Sequence, residues 1–275
     1  MSRPAVHGLI IALLLVTFGR LHALAQTQAG RVDDVLFPTS GAPEARPFFD
    51  AGLNWLHSFE YEQALSAFQE ARRIDPAFAM AYWGEAMCYQ QFLWGNEDVA
   101  AARRILSELG ATPSARAARP GTPRERSWIL SLDALFGDGD RPSRLAAYAD
   151  AMRQAAEQDA SDIEAAVFQG LAVLATASRG LAGAHHPELL ALPPLAGSEQ
   201  QRVAAAIFSD VLKKNPRHPG ALHYLIHAYD DPAHAESALE AARVYGGRTR
   251  VEPRAAHASA CVPAAGTMGR RHGLR

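Results

Sequence analysis

The strongest constraint on the fold is a spacing of residues that recurs along the chain. Apolar residues recur at offsets of 0, 4 and 7, and in two of the three copies a proline follows at offset 12. The copies are Ala64, Phe68, Ala71 and Pro76; Ala204, Phe208, Val211 and Pro216; and, more loosely, Tyr148, Met152, Ala155 and Ala160. Offsets of 4 and 7 lie on one helix face, and proline cannot continue a helix. The spacing therefore predicts repeated amphipathic helices and an all-α fold.

Each copy has neighbouring segments with apolar residues at helical spacing. These are Phe48, Gly52 and Trp55; Tyr82, Ala86 and Tyr89; Leu222, Ile226 and Tyr229; and Ala238, Ala242 and Tyr245. A short break at residues 58–61 separates the first two helices. Because one helix pair cannot bury its own apolar face, neighbouring pairs are expected to stack into an α-solenoid.

The spacings resemble the tetratricopeptide repeat (TPR), a helix–turn–helix unit of about 34 residues. Two further segments, residues 79–87 and 218–232, are similar to a family of exported bacterial TPR proteins. The resemblance covers roughly residues 48–245. It implies a right-handed α-solenoid of TPR-like helix hairpins, with a concave groove that binds a protein or peptide partner.

The repeat pattern divides the chain into segments of different character. TPR-like helices are expected over residues 46–110, with the best-matching repeat at 45–78, and again over 198–245. Divergent hairpins with loops rich in glycine and proline are expected over 111–197, and a flexible linker over 26–45.

The first 25 residues have the layout of a signal peptide. Arg3 and His7 precede an apolar run of twelve residues, 8–19, and Ala23 and Ala25 fit a signal peptidase site. A run of this length is too short to cross about 30 Å of hydrocarbon comfortably. The pattern predicts a mature chain from Gln26 that is periplasmic or secreted, with no stable membrane insertion after cleavage. The alternative is an uncleaved N-terminal anchor.

Residues 246–275 do not continue the repeat pattern, and a disordered tail is expected there. The resembling family continues instead with a helix that contains a run similar to HALHMPSH. When residues 253–274 are back-translated and read one base later, permitted codons allow HALHMPAHVFLQLGRWDDVMAS. We therefore hypothesise a one-base slip near Gly246, which the nucleotide sequence tests.

Charge and cysteine content exclude several classes of function. The formal charge is −2, of which the first 25 residues contribute two positive charges and residues 246–275 a net five, which leaves −9 for residues 26–245. A body this acidic disfavours a nucleic-acid partner. Two cysteines cannot form a zinc site of cysteines alone.

One segment contains more polar chemistry than a repeat requires. His223 and His227 are four residues apart on one helix face, and Asp230 follows three residues later. These residue types can hold a divalent metal ion. Tyr224 follows His223, so the HExxH motif of metalloproteases is absent. The alternative is that the histidines cap helices and hydrogen-bond between repeats.

Two functions follow from this pattern. The first is a non-catalytic scaffold, without a cofactor, that binds a protein or peptide partner outside the cytoplasm. The alternative is a metal-dependent or other enzyme with a site at His223, His227 and Asp230.

Overall fold

The computed structural model describes residues 35, 37–177, 199–230 and 234–248, and over these ranges the chain is helical with no strand. The helices are α1 (Arg46–His57), α2 (Tyr61–Ile74), α3 (Ala79–Met87), α4 (Val99–Leu109), α5 (Pro113–Ala117), α6 (Pro123–Leu135), α7 (Arg141–Gln158), α8 (Ile163–Ala177), α9 (Glu199–Lys214), α10 (Pro219–Ala228) and α11 (Leu239–Arg248). A 3₁₀ turn, Ala235–Ala238, precedes α11.

The repeated spacing forms the core of helix hairpins. Helix pairs α1–α2, α6–α7 and α8–α9 pack side by side, and α2 packs on α3. Phe68 of α2 is fully buried between α1 and α3. A Cβ atom added at Gly52 would lie 2.8 Å from its ring, and one added at Gly84 would overlap it. Glycine at these positions lets both helices approach the phenylalanine closely.

The second copy repeats this contact. Phe208 of α9 occupies the same offset as Phe68 and is also fully buried. A Cβ atom at Gly170 of α8 would lie 2.5 Å from the Phe208 ring. The same glycine–phenylalanine contact in two helix pairs confirms the all-α organisation of packed helix hairpins predicted from the spacing.

The helix ends also follow the sequence. Helix α2 ends at Ile74 and α9 at Lys214, in each case two residues before the proline of the repeat. Pro219 is the first residue of α10, and the side chain of His218 caps that helix. Proline fits there because the first helical N–H has no partner within the helix.

Residues 37–45 do not form the expected flexible linker. Phe37 is 2% exposed, with its ring centroid 5.3 Å from that of Phe49 and 4.9 Å from that of Trp128. The backbone N–H of Ser40 donates to Glu125 Oε1 at 2.7 Å. Because the aromatic side chain fills a gap between helices, the segment adds to the core.

The helices do not contact only their neighbours in sequence. Helix α10 packs on α1 and also on α8, although eight of the described helices separate α1 from α10. A linear stack of repeats needs contacts between adjacent repeats only. The α1–α10 contact therefore brings residues from distant parts of the chain into one region.

Several predictions fall on parts of the chain that the structure does not describe. The predicted signal peptide, the glycine- and proline-rich segment predicted around residues 180–198, and residues 249–275 lie outside the described residues. The last predicted helical segment was expected to end at residue 245, but α11 continues to Arg248. The spacing predicted that Ala242 faces the core, whereas Ala242 is exposed and Ala241 is buried. No helix in the described ranges is both long enough and apolar enough to span a bilayer.

Candidate functional site

Four polar side chains meet where α1, α8 and α10 converge. His57 is the last residue of α1, Glu164 lies in the first turn of α8, His218 caps α10, and Tyr224 lies within α10. All four are at most 2% exposed. Gly220 allows the approach, since a Cβ atom there would overlap the His57 ring.

The Glu164 carboxylate accepts hydrogen bonds from both histidines. His57 Nε2 lies 3.0 Å from Oε2, and His218 Nε2 lies 2.7 Å from Oε1. Burial raises the pKa of the Glu164 carboxyl, but the two histidines beside it have the larger opposite effect, so its pKa lies well below the ordinary value. The carboxylate is therefore ionised, and both histidines donate to it.

Tyr224 completes this buried network. Its hydroxyl lies 3.1 Å from His57 Nδ1. Burial raises the pKa of Tyr224 well above its ordinary value, with a smaller contribution from the charge of Tyr61, so the hydroxyl keeps its proton. The hydroxyl donates to Nδ1 while Nε2 of the same ring donates to Glu164, which fixes the tautomer of His57.

This network also contains a possible metal-binding set. In the described ranges, one potential ligand atom from each of His57, Glu164 and His218 lies within 4.8 Å of the other two. The hydrogen bonds of His218 argue against a metal there. Its Nδ1 accepts the N–H of Ala221 at 3.2 Å, so Nε2 carries the proton and has no lone pair for a metal. The network is a structural link between three helices.

The predicted histidines lie on α10, one turn apart. His223 Nδ1 lies 2.7 Å from the carbonyl oxygen of His57 and must donate to it, because a carbonyl only accepts. In the neutral ring, His223 Nε2 then carries a lone pair. His227 Nε2 lies 3.2 Å away and donates to that lone pair. The structure therefore brings these two predicted ligands together through their Nε2 atoms.

Asp230 does not join the two histidines. It follows α10, is exposed, and forms no three-residue set with His223 and His227 within 4.8 Å in the described part of the chain. The helix ends at Ala228, so the helical spacing that placed Asp230 on the histidine face no longer holds there.

Aromatic side chains surround the histidine pair. We call Phe59, Trp94, His223, His227 and Tyr245 the aromatic–histidine patch. Ring centroids of Phe59 lie 4.6 Å from His223, 5.7 Å from His227 and 5.0 Å from Trp94. The Tyr245 ring stacks on His223 at 5.1 Å. His223 is 7% exposed, and the other four are partly exposed, so solvent reaches part of each of those four side chains.

Phe59, whose ring contacts the rings of three other members of the patch, has a backbone conformation that is unfavourable for a residue with a side chain. Among the described residues it is the non-glycine residue with positive φ, at +59°. The turn ends α1, since the N–H of Glu60 donates to the carbonyl oxygen of Trp55 at 3.0 Å. Glycine is the usual residue at such a helix end, and another residue costs roughly 1–2 kcal/mol there.

Sequence reasoning missed Phe59, Trp94 and the Glu164 network. One feature of the sequence could have indicated Phe59: it occupies the turn between two predicted helices, where glycine is the usual residue. Glu164 had none, since it lies 107 residues from His57 and 54 residues from His218 in the chain.

No protein-family model and no curated protein matches this chain. Among solved structures, the chain is similar to the crystal structure of YrrB, described as a TPR protein with an unusual peptide-binding site. The two are 16% identical, the match covers 75% of this chain and 87% of YrrB, and the TM-score is 0.35.

Proposed function

We propose that this chain is a non-catalytic helical-repeat scaffold that binds a peptide segment of a partner protein at the aromatic–histidine patch. The observation that carries the proposal is the strained Phe59, which places an aromatic ring between Trp94 and the two histidines. Strain at a partly exposed side chain is typical of functional positions rather than of packing alone.

The chemistry of the patch suits a peptide. Aromatic side chains supply much of the energy of protein interfaces because they bury a large area with few rotatable bonds. Phe59, Trp94 and Tyr245 come from three separate segments, so a ligand would contact several parts of the fold at once.

The charge of the chain favours a basic peptide. Residues 26–245 carry a formal charge of −9, which attracts a positively charged segment. Arginine stacks on aromatic rings within this protein, where Arg124 lies 4.2 Å from the Phe37 ring centroid and Arg72 lies 4.5 Å from that of Tyr82. An arginine of the partner can stack on the patch in the same way.

The buried carboxylate supports a non-catalytic role. Glu164 is 2% exposed, and a histidine donates to each of its oxygens. It therefore holds helices together and is not placed to exchange a proton with a substrate. We further propose that the protein works outside the cytoplasm, on the basis of the signal-peptide pattern in residues 1–25.

Selection from a random-peptide phage library tests the binding proposal. The wild-type chain should enrich peptides with arginine and aromatic residues, and Trp94→Ala should lose at least tenfold in affinity for them. Leu130→Ala is the control, because Leu130 is a 42% exposed apolar residue on α6 outside the patch. An equal loss in both variants, or no enrichment by the wild type, would contradict the proposal.

A further inference from the structure

We infer that His223 and His227 form a binding site for one divalent transition-metal ion, held by Nε2 of both rings. The inference is independent of peptide binding. It rests on the geometry of the two imidazoles and on the group that fixes the first of them.

The distance between the two rings fits a shared ion. Zinc–imidazole bonds are about 2.0–2.1 Å, so two nitrogens on a tetrahedral ion lie roughly 3.3 Å apart. The Nε2 atoms of His223 and His227 lie 3.2 Å apart. The two Nε2 atoms are therefore already separated by the distance that two ligands of one ion require, and the rings need only turn their lone pairs toward that ion.

The protonation of His223 is already that of a metal ligand. Its Nδ1 proton is held by the carbonyl oxygen of His57, at 2.7 Å. Metal-bound histidines typically donate their other N–H to a carbonyl or carboxylate, which orients the ring and fixes the tautomer. That carbonyl belongs to the last turn of α1, where carbonyl groups accept hydrogen bonds from outside the helix.

His227 needs only a change of tautomer. Its Nε2 proton, now donated to His223, moves to Nδ1 when Nε2 binds the ion, and no net charge is gained or lost by a neutral ring. Its ring is partly exposed, which gives an ion a route from solvent.

The site differs from the two other arrangements of ligand residues in this region. His218 cannot offer Nε2 to a metal because its Nδ1 accepts a backbone N–H. Asp230, which the sequence suggested as the third ligand, is exposed and lies outside the pair. Two imidazoles without a carboxylate favour Zn²⁺, Ni²⁺ or Cu²⁺ over Mg²⁺ or Ca²⁺.

Isothermal titration calorimetry tests the site. The chain, without a histidine tag, is titrated with ZnCl₂ and, separately, with NiCl₂. The chain has eleven histidines, so the expected result is a difference: His227→Ala should bind one equivalent less than the wild type. Two controls should bind as many metal equivalents as the wild type: His234→Ala, which removes a histidine outside the pair, and Asp230→Asn. Unchanged binding by His227→Ala, or a loss of the same equivalent in Asp230→Asn, would overturn the assignment.

Spectroscopy separates ligation from loss of folding. Electron paramagnetic resonance of one equivalent of Cu²⁺ should show coupling to two imidazole nitrogens in the wild type and fewer in His227→Ala, with circular dichroism unchanged. A spectrum identical in both proteins would contradict the site. Peptide selection with chelator-treated protein is a separate readout, so the metal site and the peptide proposal can fail independently.

Discussion

His57 Nε2 donates to Glu164 Oε2 at 3.0 Å, across 107 residues of sequence, and ties the end of α1 to the start of α8. Both side chains are buried, at 0% and 2% exposure. Since His218 donates to the other carboxylate oxygen, one carboxylate fixes three helices at the point from which α10 presents His223 and His227.

Removal of this carboxylate should destabilise the fold strongly. Glu164→Ala leaves two buried imidazole N–H groups without an acceptor, and we expect a loss of about 3–5 kcal/mol in the free energy of unfolding. Glu164→Gln should cost less, because its amide can accept from His218 and donate to His57, whose Nδ1 proton then bonds to the Tyr224 hydroxyl. Urea unfolding followed by circular dichroism measures both, and equal losses would contradict the proton arrangement described above.

The same carboxylate should make stability depend on pH. The pKa of Glu164 is lowered in the folded state, so its stabilisation is complete above the ordinary glutamate pKa, near 4.3. As pH falls below that range, the unfolded chain takes up a proton that the folded chain does not, and stability falls by up to about 1.4 kcal/mol per pH unit. The wild type should show this loss between about pH 5 and pH 3 more steeply than Glu164→Gln. Parallel pH profiles for the two proteins would show that Glu164 is not the group responsible.

The backbone at Phe59 gives a second test of stability. Phe59→Ala and Phe59→Gly both remove the ring, so the difference between them reports the backbone alone. Because φ is +59°, the glycine variant should be more stable than the alanine variant by about 1 kcal/mol. Thermal unfolding of the two variants measures this, and an alanine variant of equal or greater stability would show that the turn is not strained.

The contact between glycine and phenylalanine predicts which glycines tolerate a methyl group. A Cβ atom at Gly84 would overlap Phe68, and one at Gly170 would press on Phe208, so each alanine variant should lose about 1–3 kcal/mol. Gly247→Ala is the control, since nothing lies within 4 Å of a Cβ atom there. Its stability should be unchanged or slightly raised, because alanine favours helix. Tolerance of alanine at Gly84 would contradict the predicted close packing.

Periodicity predicted the hairpins well, because a buried helix face needs apolar residues at fixed spacing whatever its partner is. Phe68 and Phe208 were found in this way. The burial of Phe37 was not found, because a single aromatic residue in an irregular segment has no period to reveal it.

The candidate site was predicted in part for the same reason. His223 and His227 share a helix face, so their spacing sufficed. The carbonyl that orients His223 belongs to His57, 166 residues away in the chain, and the rings of Phe59, Trp94 and Tyr245 come from other segments. Contacts of that kind depend on how α1 meets α10, which local spacing does not encode.

Peptide binding at the aromatic–histidine patch can be measured directly. The most direct measurement is the affinity of a basic peptide, selected on the wild-type chain, for wild type, Trp94→Ala and Leu130→Ala by fluorescence anisotropy. We expect at least tenfold weaker binding by Trp94→Ala and unchanged binding by Leu130→Ala. Equal affinity for all three proteins would place the peptide elsewhere and contradict the proposal.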